Sequence, residues 1–472
     1  MLFKKYSKFF WSLAVAAVAL VFIAGGSFGS QGFKYGFPGI AYAGPEPGLK
    51  YKKFTHVIPV PYEVTVSLGK GKTEIINKTP VFVKWNRNKD RIEELREKID
   101  SVILGVNCDV SVQIVSASKY DLIYEYKPGI QMIPASISKV ITSAIALKYL
   151  GIGYEFKTVL YSDDGDLSDG VINGNLYLKG YGDPEFDMDG VLNLVKKFTG
   201  KNINEITGNV VYDDSYFDDK YKGLADYYSG DTKGNYWPYV CALTFEKNKG
   251  SSNPPYAAAD FLVSVLKEKN VKVEGAIVAG VTPVSAKEIG RETHPLPLVM
   301  ANMNKPSDNH SAITIFKCVG AEFGLPPGTL EKGSTAVIEF LTSLGIPRND
   351  FEILEGSGLT RHNLVNSNMF IQLLKYLYDR EDIFDAFYQS LSVAGVDGTL
   401  KNRMIGTEAE KNVHAKTGTI NGVSTLAGYA VTREGELLIF YIAMNGFGTA
   451  NPKPYRSKQD EICELLCGFS RK

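Results

Sequence analysis

The chain has 472 residues, of which 44% are hydrophobic and 22% are charged, and this ordinary globular composition excludes a disordered or fibrous protein. Lysine plus arginine and aspartate plus glutamate number 52 each, so no basic excess points to nucleic acid. The length predicts two or three structural units, and five cysteines are too few for a disulfide scaffold in so long a chain.

Residues 1–43 have the pattern of an export signal. Lys4, Lys5 and Lys8 precede an uncharged apolar run over residues 9–24, and Ala41-Tyr42-Ala43 offers a cleavage site. As a helix the run would be about 24 Å long, short of the ~30 Å of a bilayer core, but the cleavage site lies unusually far from it. A cleaved signal peptide and a retained N-terminal anchor therefore both stay open. Either predicts an exported protein, in the periplasm or on the outer face of the cytoplasmic membrane.

The rest of the chain divides into a linker, a main fold and an insertion. Residues 44–89 are rich in Pro, Gly and Lys and predict a linker. Helical and then alternating apolar patterns follow from Asp90 to Ile114, while two strand-like runs within 426–444 and a helical pattern over 462–469 close the chain. Between them, residues 155–297 are rich in Tyr, Asp and Gly and predict an inserted domain.

Ser-x-x-Lys is the first pattern that could carry chemistry. On a helix, three residues make nearly one turn, so a neutral lysine amine lies over the hydroxyl and can take its proton. The pattern occurs at Ser67/Lys70, Ser116/Lys119, Ser136/Lys139 and Ser264/Lys267. Only Ser136 is predicted to open a helix, over 136–150, which would put its hydroxyl and N–H at the positive helix end. A serine that merely caps the helix is the alternative.

Ser-x-Asn occurs twice. Ser251-Ser252-Asn253 runs into two prolines and predicts a plain turn, whereas Ser307-Asp308-Asn309 is predicted to start a helical stretch at Ser307. Lys416-Thr417-Gly418 occurs once, is followed by Thr419, and precedes the two C-terminal strands. The glycine lets a substrate backbone approach a strand edge, while lysine and threonine supply a cation and a hydroxyl for an anionic group.

The order of these three motifs is more specific than any one of them. The chain resembles the penicillin-binding proteins and serine β-lactamases, and more closely the low-molecular-mass class C D-alanyl-D-alanine carboxypeptidases/endopeptidases, whose transpeptidase-like domain is interrupted between the first two motifs. Five flanking segments support this resemblance: residues 134–142, 180–184, 211–217, 356–361 and 394–400.

The resemblance covers residues 90–470 and implies an α/β (α+β) fold. A serine β-lactamase/transpeptidase-like catalytic domain, with an antiparallel sheet flanked by helices, would comprise residues 90–154 and 298–472. An inserted mainly-β accessory domain would comprise residues 155–297. The spacing between Ser136 and Ser307 is shorter than the family's largest members suggest, so one accessory domain is expected to be reduced or missing.

The resemblance also implies roles for the motif residues. Ser136 would form a covalent acyl ester with Lys139 as general base, Ser307 would pass a proton toward the leaving amine, and Asn309 would bind the acyl-side amide. A second cation at Lys416 and burial would favour a neutral Lys139.

The third motif, Lys416-Thr417-Gly418, would bind the C-terminal end of the substrate peptide. Lys416, Thr417, Gly418 and Thr419 would hold the terminal carboxylate of a D-Ala-D-Ala stem peptide. The backbone N–H groups of Ser136 and Thr419 would form the oxyanion hole.

The predicted partners are peptidoglycan stem peptides and cross-links, with β-lactams as covalent inhibitors. No cofactor and no metal are predicted, because the five histidines lack metal-binding spacing and the acidic turns at 163–170 and 187–190 lack the ligand pattern of a calcium loop. Membrane association through the N-terminus and homodimerisation are left open. The alternatives are a serine β-lactamase, for which no convincing deacylating glutamate is found, and a non-catalytic peptidoglycan-binding scaffold, which would normally have lost part of the Ser/Lys/Lys set.

Overall fold

A computed structural model describes residues 64–67, 73–76 and 89–472, except 120, 166, 168, 201, 223, 225–235 and 449–450. The predicted signal or anchor, residues 1–43, lies outside the described residues. Within the predicted linker, strands β1 (Val64–Ser67) and β2 (Thr73–Ile76) pair antiparallel. No helix in the described part of the chain is both long and apolar enough to cross a membrane.

One six-stranded sheet contains strands from residues 109–126 and from residues 392–445. This agrees with the antiparallel sheet of the predicted fold class. Its spatial order is β15 (Ser392–Val393), β16 (Val413–Ile420), β17 (Val423–Val431), β18 (Leu437–Asn445), β3 (Asp109–Ser116) and β4 (Leu122–Tyr126). Strands β15 to β18 pair antiparallel in succession, and β18 pairs antiparallel with β3. The hairpin predicted within 426–444 is confirmed, extending from Val423 to Asn445.

Helices cover both faces of this sheet. Along β18, Phe440 and Ile442 join a core with α1 (Lys89–Ile103) and α10 (Lys453–Cys467). Because successive strand residues point to opposite faces, Tyr441 instead contacts Phe370 of α8 (Ser367–Asp379) on the other side. This burial on both faces explains why β18 is almost continuously apolar.

The remaining helices of the main fold lie between these ends. They are α2 (Ser138–Tyr149), α5 (Leu296–Asn304), α6 (Asn309–Gly324), α7 (Leu330–Ser343) and α9 (Glu381–Ser390). A small antiparallel pair, β13 (Phe351–Glu352) and β14 (Leu364–Val365), brackets the loop that reaches the candidate site. The five cysteines are free thiols, and Cys463 and Cys467 are buried on α10.

The described part of residues 155–295 contains two sheets and two α-helices. The larger sheet has the order β11 (Ile277–Ala279), β9 (Val210–Asp213), β7 (Leu176–Gly180), β5 (Glu155–Ser162) and β12 (Lys287–Pro295). The smaller, parallel sheet has the order β10 (Lys272–Val273), β8 (Glu205–Ile206) and β6 (Val171–Ile172). Helices α3 (Met188–Thr199) and α4 (Pro254–Glu268) share a hydrophobic core with these strands, so the segment has a core of its own.

Candidate active site

Ser136 lies on a 3₁₀ turn, Ala135–Ile137, directly before α2. The helix predicted over 136–150 therefore starts two residues later, at Ser138, and Ser136 stands on the turn that leads into it. Ala135 has φ +49°, a left-handed conformation that is uncommon for a residue with a side chain and typical of functional sites. Gly358 makes room for this turn, because a Cβ at that position would lie 1.8 Å from the Ala135 carbonyl oxygen.

Lys139 stands one turn further along, with its side chain fully buried. Its Nζ lies 3.0 Å from Ser136 Oγ, 2.7 Å from Asn309 Oδ1 and 2.7 Å from the Ser357 carbonyl oxygen. Burial lowers the pKa of Lys139 to about 8, against the opposing pull of the Glu355 and Asp308 carboxylates. An amine with this pKa loses its proton close to neutral pH, which is what a general base beside a serine hydroxyl needs.

The second motif differs from its prediction at the helix start. Helix α6 begins at Asn309 and not at Ser307, because the Asp308 side chain caps it by accepting a hydrogen bond from Ser311 N at 3.1 Å. Ser307 is excluded from the helix by its left-handed backbone, φ +63°. The backbone thus turns sharply just before Asn309, the residue that contacts Lys139.

Asp308 is held as an anion by a residue from the inserted segment. Lys247 Nζ lies 3.1 Å from Asp308 Oδ2 and 3.3 Å from Glu185 Oε1. Although burial opposes it, the Lys247 ammonium and the Ser311 hydroxyl lower the pKa of Asp308 to about 2. Lys247 is the second of three consecutive residues with positive φ, 246 to 248. No sequence pattern predicted its contact with Asp308.

Lys416, Thr417 and Gly418 lie on β16, against the turn that carries Ser136. A Cβ at Gly418 would lie 3.0 Å from Ser136 N and 2.1 Å from Thr425 Oγ1. Only a residue without a side chain lets the strand approach this closely.

The side chains of the third motif make separate contacts. Lys416 is fully buried, and its Nζ donates to the Thr417 carbonyl oxygen at 3.0 Å. Burial and the neighbouring Lys139 amine lower the pKa of Lys416 well below its usual value. Thr417 Oγ1 donates to Thr399 Oγ1 at 2.8 Å. Thr399 belongs to residues 394–400, one of the five flanking segments that support the resemblance.

The structure thus joins Ser136, Lys139 and Asn309 by direct hydrogen bonds and sets Gly418 against the same turn. Ser307 is partly exposed and lines a cleft of about 650 Å³. The walls of this cleft also include Asn309, Trp237 and Tyr239.

The other Ser-x-x-Lys serines have ordinary structural roles. Ser116 ends β3 and donates to Glu436 Oε1 at 2.6 Å, while Ser264 is exposed on α4 and donates to the Phe261 carbonyl. Ser67 is the last residue of β1. In the other Ser-x-Asn, Asn253 caps α4 by accepting from Tyr256 N.

Glu355 is a site residue that the sequence analysis missed. It is fully buried and accepts hydrogen bonds from Ser357 N and Gly358 N, each at 2.6 Å. These bonds fix the loop whose Ser357 carbonyl accepts from Lys139. Burial raises the pKa of Glu355, opposed by the loop hydrogen bonds and by Lys139. An acid directly before Gly356-Ser357-Gly358 was the available signal, since such a turn has N–H groups that a carboxylate can bind.

With this geometry in place, comparison with known proteins gives the family. The model of the D-Ala-D-Ala carboxypeptidase 3 (S13) family matches residues 95–258 and 247–465. The chain belongs to this family. The S13 match covers all three motifs as well as the inserted segment.

Individual S13 relatives are distant but align over most of their length. The chain is 24% identical to the D-alanyl-D-alanine carboxypeptidase DacB of Haemophilus influenzae, over 82% of this chain and 94% of the relative. It is 26% identical to a D-alanyl-D-alanine carboxypeptidase of an Actinomadura species, over 80% of this chain and 86% of the relative. The crystal structure of penicillin-binding protein 4 from H. influenzae superposes with a TM-score of 0.66 at 23% identity, covering 79% of this chain and 98% of that one. This S13 chain therefore shares the penicillin-binding protein 4 fold.

Proposed function

We propose that this protein is a serine D-alanyl-D-alanine carboxypeptidase/endopeptidase that acts on peptidoglycan stem peptides and binds penicillin covalently. The observation that carries the proposal is the buried Lys139 amine, hydrogen-bonded to both Ser136 Oγ and Asn309 Oδ1. Membership of the S13 family supports the same activity.

In the acylation step, Ser136 Oγ attacks the carbonyl carbon of the penultimate D-alanine and passes its proton to Lys139 Nζ. The negative charge that develops on the carbonyl oxygen would be stabilised by the N–H groups of Ser136 and Thr419, a type of contact worth roughly 3–4 kcal/mol per donor in other enzymes. The close approach of Gly418 to Ser136 N supports this pairing of β16 with the nucleophile turn.

The scissile C–N bond then breaks, and the leaving amine takes a proton through the Ser307 hydroxyl. Asn309 binds the acyl-side amide with the part of its side chain that does not face Lys139. Lys416, Thr417 and Thr419 bind the terminal carboxylate. A carboxylate next to Lys416 would favour its charged form, which burial and Lys139 disfavour.

Water completes the cycle by hydrolysing the Ser136 ester. When the leaving group is a single D-alanine the reaction is a carboxypeptidase reaction, and when the leaving amine belongs to a second stem peptide it opens a cross-link. Residues 155–297 would form the accessory domain, and its Lys247 would support the second motif through Asp308.

This substrate lies outside the cytoplasm, so the proposal includes export to the periplasm or the outer face of the cytoplasmic membrane. The lysines and apolar run of residues 1–43 support it. Fractionation of cells producing the full chain tests the location, and an N-terminal sequence of the mature protein separates a cleaved signal from an anchor.

The activity is tested by incubating the protein with defined monomeric and cross-linked muropeptides and identifying products by mass spectrometry. Release of D-alanine from pentapeptides and conversion of dimers to monomers are the expected results. Rapid steady hydrolysis of a chromogenic β-lactam, with muropeptides unchanged, would instead favour a β-lactamase. Binding of peptidoglycan without any product would favour a scaffold.

A further inference from the structure

An arginine from the C-terminal helix reaches the third motif. Arg456 lies in the first turn of α10, and its Nη2 donates to Thr419 Oγ1 at 3.0 Å. Thr419 is the residue that follows Lys416-Thr417-Gly418, and it is partly exposed. The guanidinium therefore stands at the edge of the site where the substrate carboxylate is proposed to bind.

Two neighbouring residues hold this arginine in place. Arg403 Nη2 donates to the Arg456 carbonyl oxygen at 3.2 Å. One turn along the helix, the fully buried Gln459 donates to Ser424 Oγ of β17 at 3.1 Å. Both ends of this turn are thus fixed, so the backbone from which the guanidinium extends is held in place, and the contact with Thr419 orients the side chain.

Among the described residues, no carboxylate forms an ion pair with Arg456. Asp460, one turn further along α10, pairs with Arg403 at 2.7 Å instead. Burial and the nearby Arg403 lower the pKa of Arg456 against the opposing pull of the Asp460 carboxylate, and a bound anion would favour the charged guanidinium. An arginine has five N–H donors, and its contact with Thr419 leaves others for a second acceptor.

We propose that Arg456 is a specificity-determining residue that binds the terminal carboxylate of the substrate together with Thr419. This inference rests on the proposed function, which places that carboxylate at the third motif. Lys416 is less suited to act alone, because it is fully buried and already donates to the Thr417 carbonyl oxygen. A guanidinium that shares the Thr419 hydroxyl with the ligand would add a charge-assisted hydrogen bond to a group that loses water on binding.

The proposal predicts a preference for free carboxylates that depends on Arg456. The probes are the diacetyl-L-Lys-D-Ala-D-Ala tripeptide and its C-terminal amide, followed by benzylpenicillin and its methyl ester. For Arg456→Gln we expect kcat/KM for the free acid to fall about tenfold or more, mainly through KM, from loss of one charge-assisted contact. Activity on the amide and acylation by the ester should stay close to wild type, and Arg456→Lys should recover part of the loss.

Lys458→Gln is the matched control, because Lys458 lies on the same helix and, among the described residues, forms its ion pair with Glu461 at 2.9 Å. It should leave all four probes unchanged. Equal losses on the acid and amide forms in Arg456→Gln would show that the arginine only supports the strand, and would overturn the proposal. Unchanged kcat/KM for the acid would overturn it as well. A wild-type protein that neither cleaves the tripeptide nor reacts with benzylpenicillin would overturn the proposed function itself, which is a different result from an active enzyme without Arg456-dependent selectivity.

Discussion

The Lys139 amine and the Asn309 side-chain oxygen lie 2.7 Å apart, although 170 residues separate them in the chain. The same amine lies 3.0 Å from Ser136 Oγ, so one buried nitrogen connects the first two motifs. The pKa of Lys139 is lowered by burial, and Asn309 of α6 and the 355–358 loop contact its amine. The folded chain, and not helix α2 alone, is therefore required to lower this pKa.

The two lysines of the site should respond differently to arginine. Lys139→Arg should abolish acylation by benzylpenicillin, because a guanidinium cannot serve as a base at accessible pH. Lys416→Arg keeps a cation and should retain some acylation, with the larger loss on D-Ala-D-Ala peptides. Stopped-flow or gel-based acylation rates check both. A Lys139→Arg protein that acylates at the wild-type rate would show that another group takes the proton.

Acylation should depend on pH through Lys139. Its neutral fraction grows as pH rises through a pKa of about 8, so the rate should climb from pH 6, reach half its maximum at about pH 8 and level off above about pH 9. Glu355→Gln removes a carboxylate that favours the ammonium form of Lys139, so it should move the rising part of the pH–rate profile to lower pH. Glu352→Gln, which removes one partner of an exposed ion pair with Arg348, is the control and should leave the profile unchanged. An unchanged profile in Glu355→Gln would contradict the electrostatic effect of Glu355 on Lys139.

Gly418→Ala should damage the site more than the fold. The added Cβ would overlap Thr425 Oγ1 and press on Ser136 N, so β16 must shift away from the nucleophile. We expect a stability loss of about 1–3 kcal/mol, as for other overpacked sites, and a much larger drop in acylation. Gly129→Ala has open space around its Cβ and should change neither the melting temperature nor the rate. Full acylation by Gly418→Ala would mean that the strand need not touch the Ser136 turn.

The Lys247 contact should support the second motif from the inserted segment. Lys247→Gln removes the cation nearest Asp308 and should reduce acylation several-fold by loosening the turn before Asn309. Lys272→Gln, in an exposed pair with Glu205, serves as the control in the same segment. The measurement is the acylation rate of each variant at a fixed penicillin concentration. Equal rates in Lys247→Gln and Lys272→Gln would show that Lys247 does not support the second motif.

The sequence alone was sufficient for the motifs and for the C-terminal hairpin. The predicted helix start set Ser136 apart from the three other Ser-x-x-Lys patterns, and the apolar run of β18 could be recognised in the sequence because both faces of that strand are buried. The helix start was placed at Ser307 instead of Asn309 because apolar periodicity, which predicted this helix, marks neither the capping role of Asp308 nor the left-handed backbone of Ser307. Lys247 and Arg456 contact residues far from them in sequence, Asp308 and Thr419, and no local pattern marks such contacts.

Covalent labelling by a fluorescent penicillin tests most directly whether Ser136 is the nucleophile. Wild-type protein should be labelled and Ser136→Ala should abolish the label, whereas Ser67→Ala, Ser116→Ala and Ser264→Ala should retain it. The buried Ser116 needs a check of folding by circular dichroism alongside the gel. Persistent labelling of a folded Ser136→Ala protein would contradict the assignment of the nucleophile.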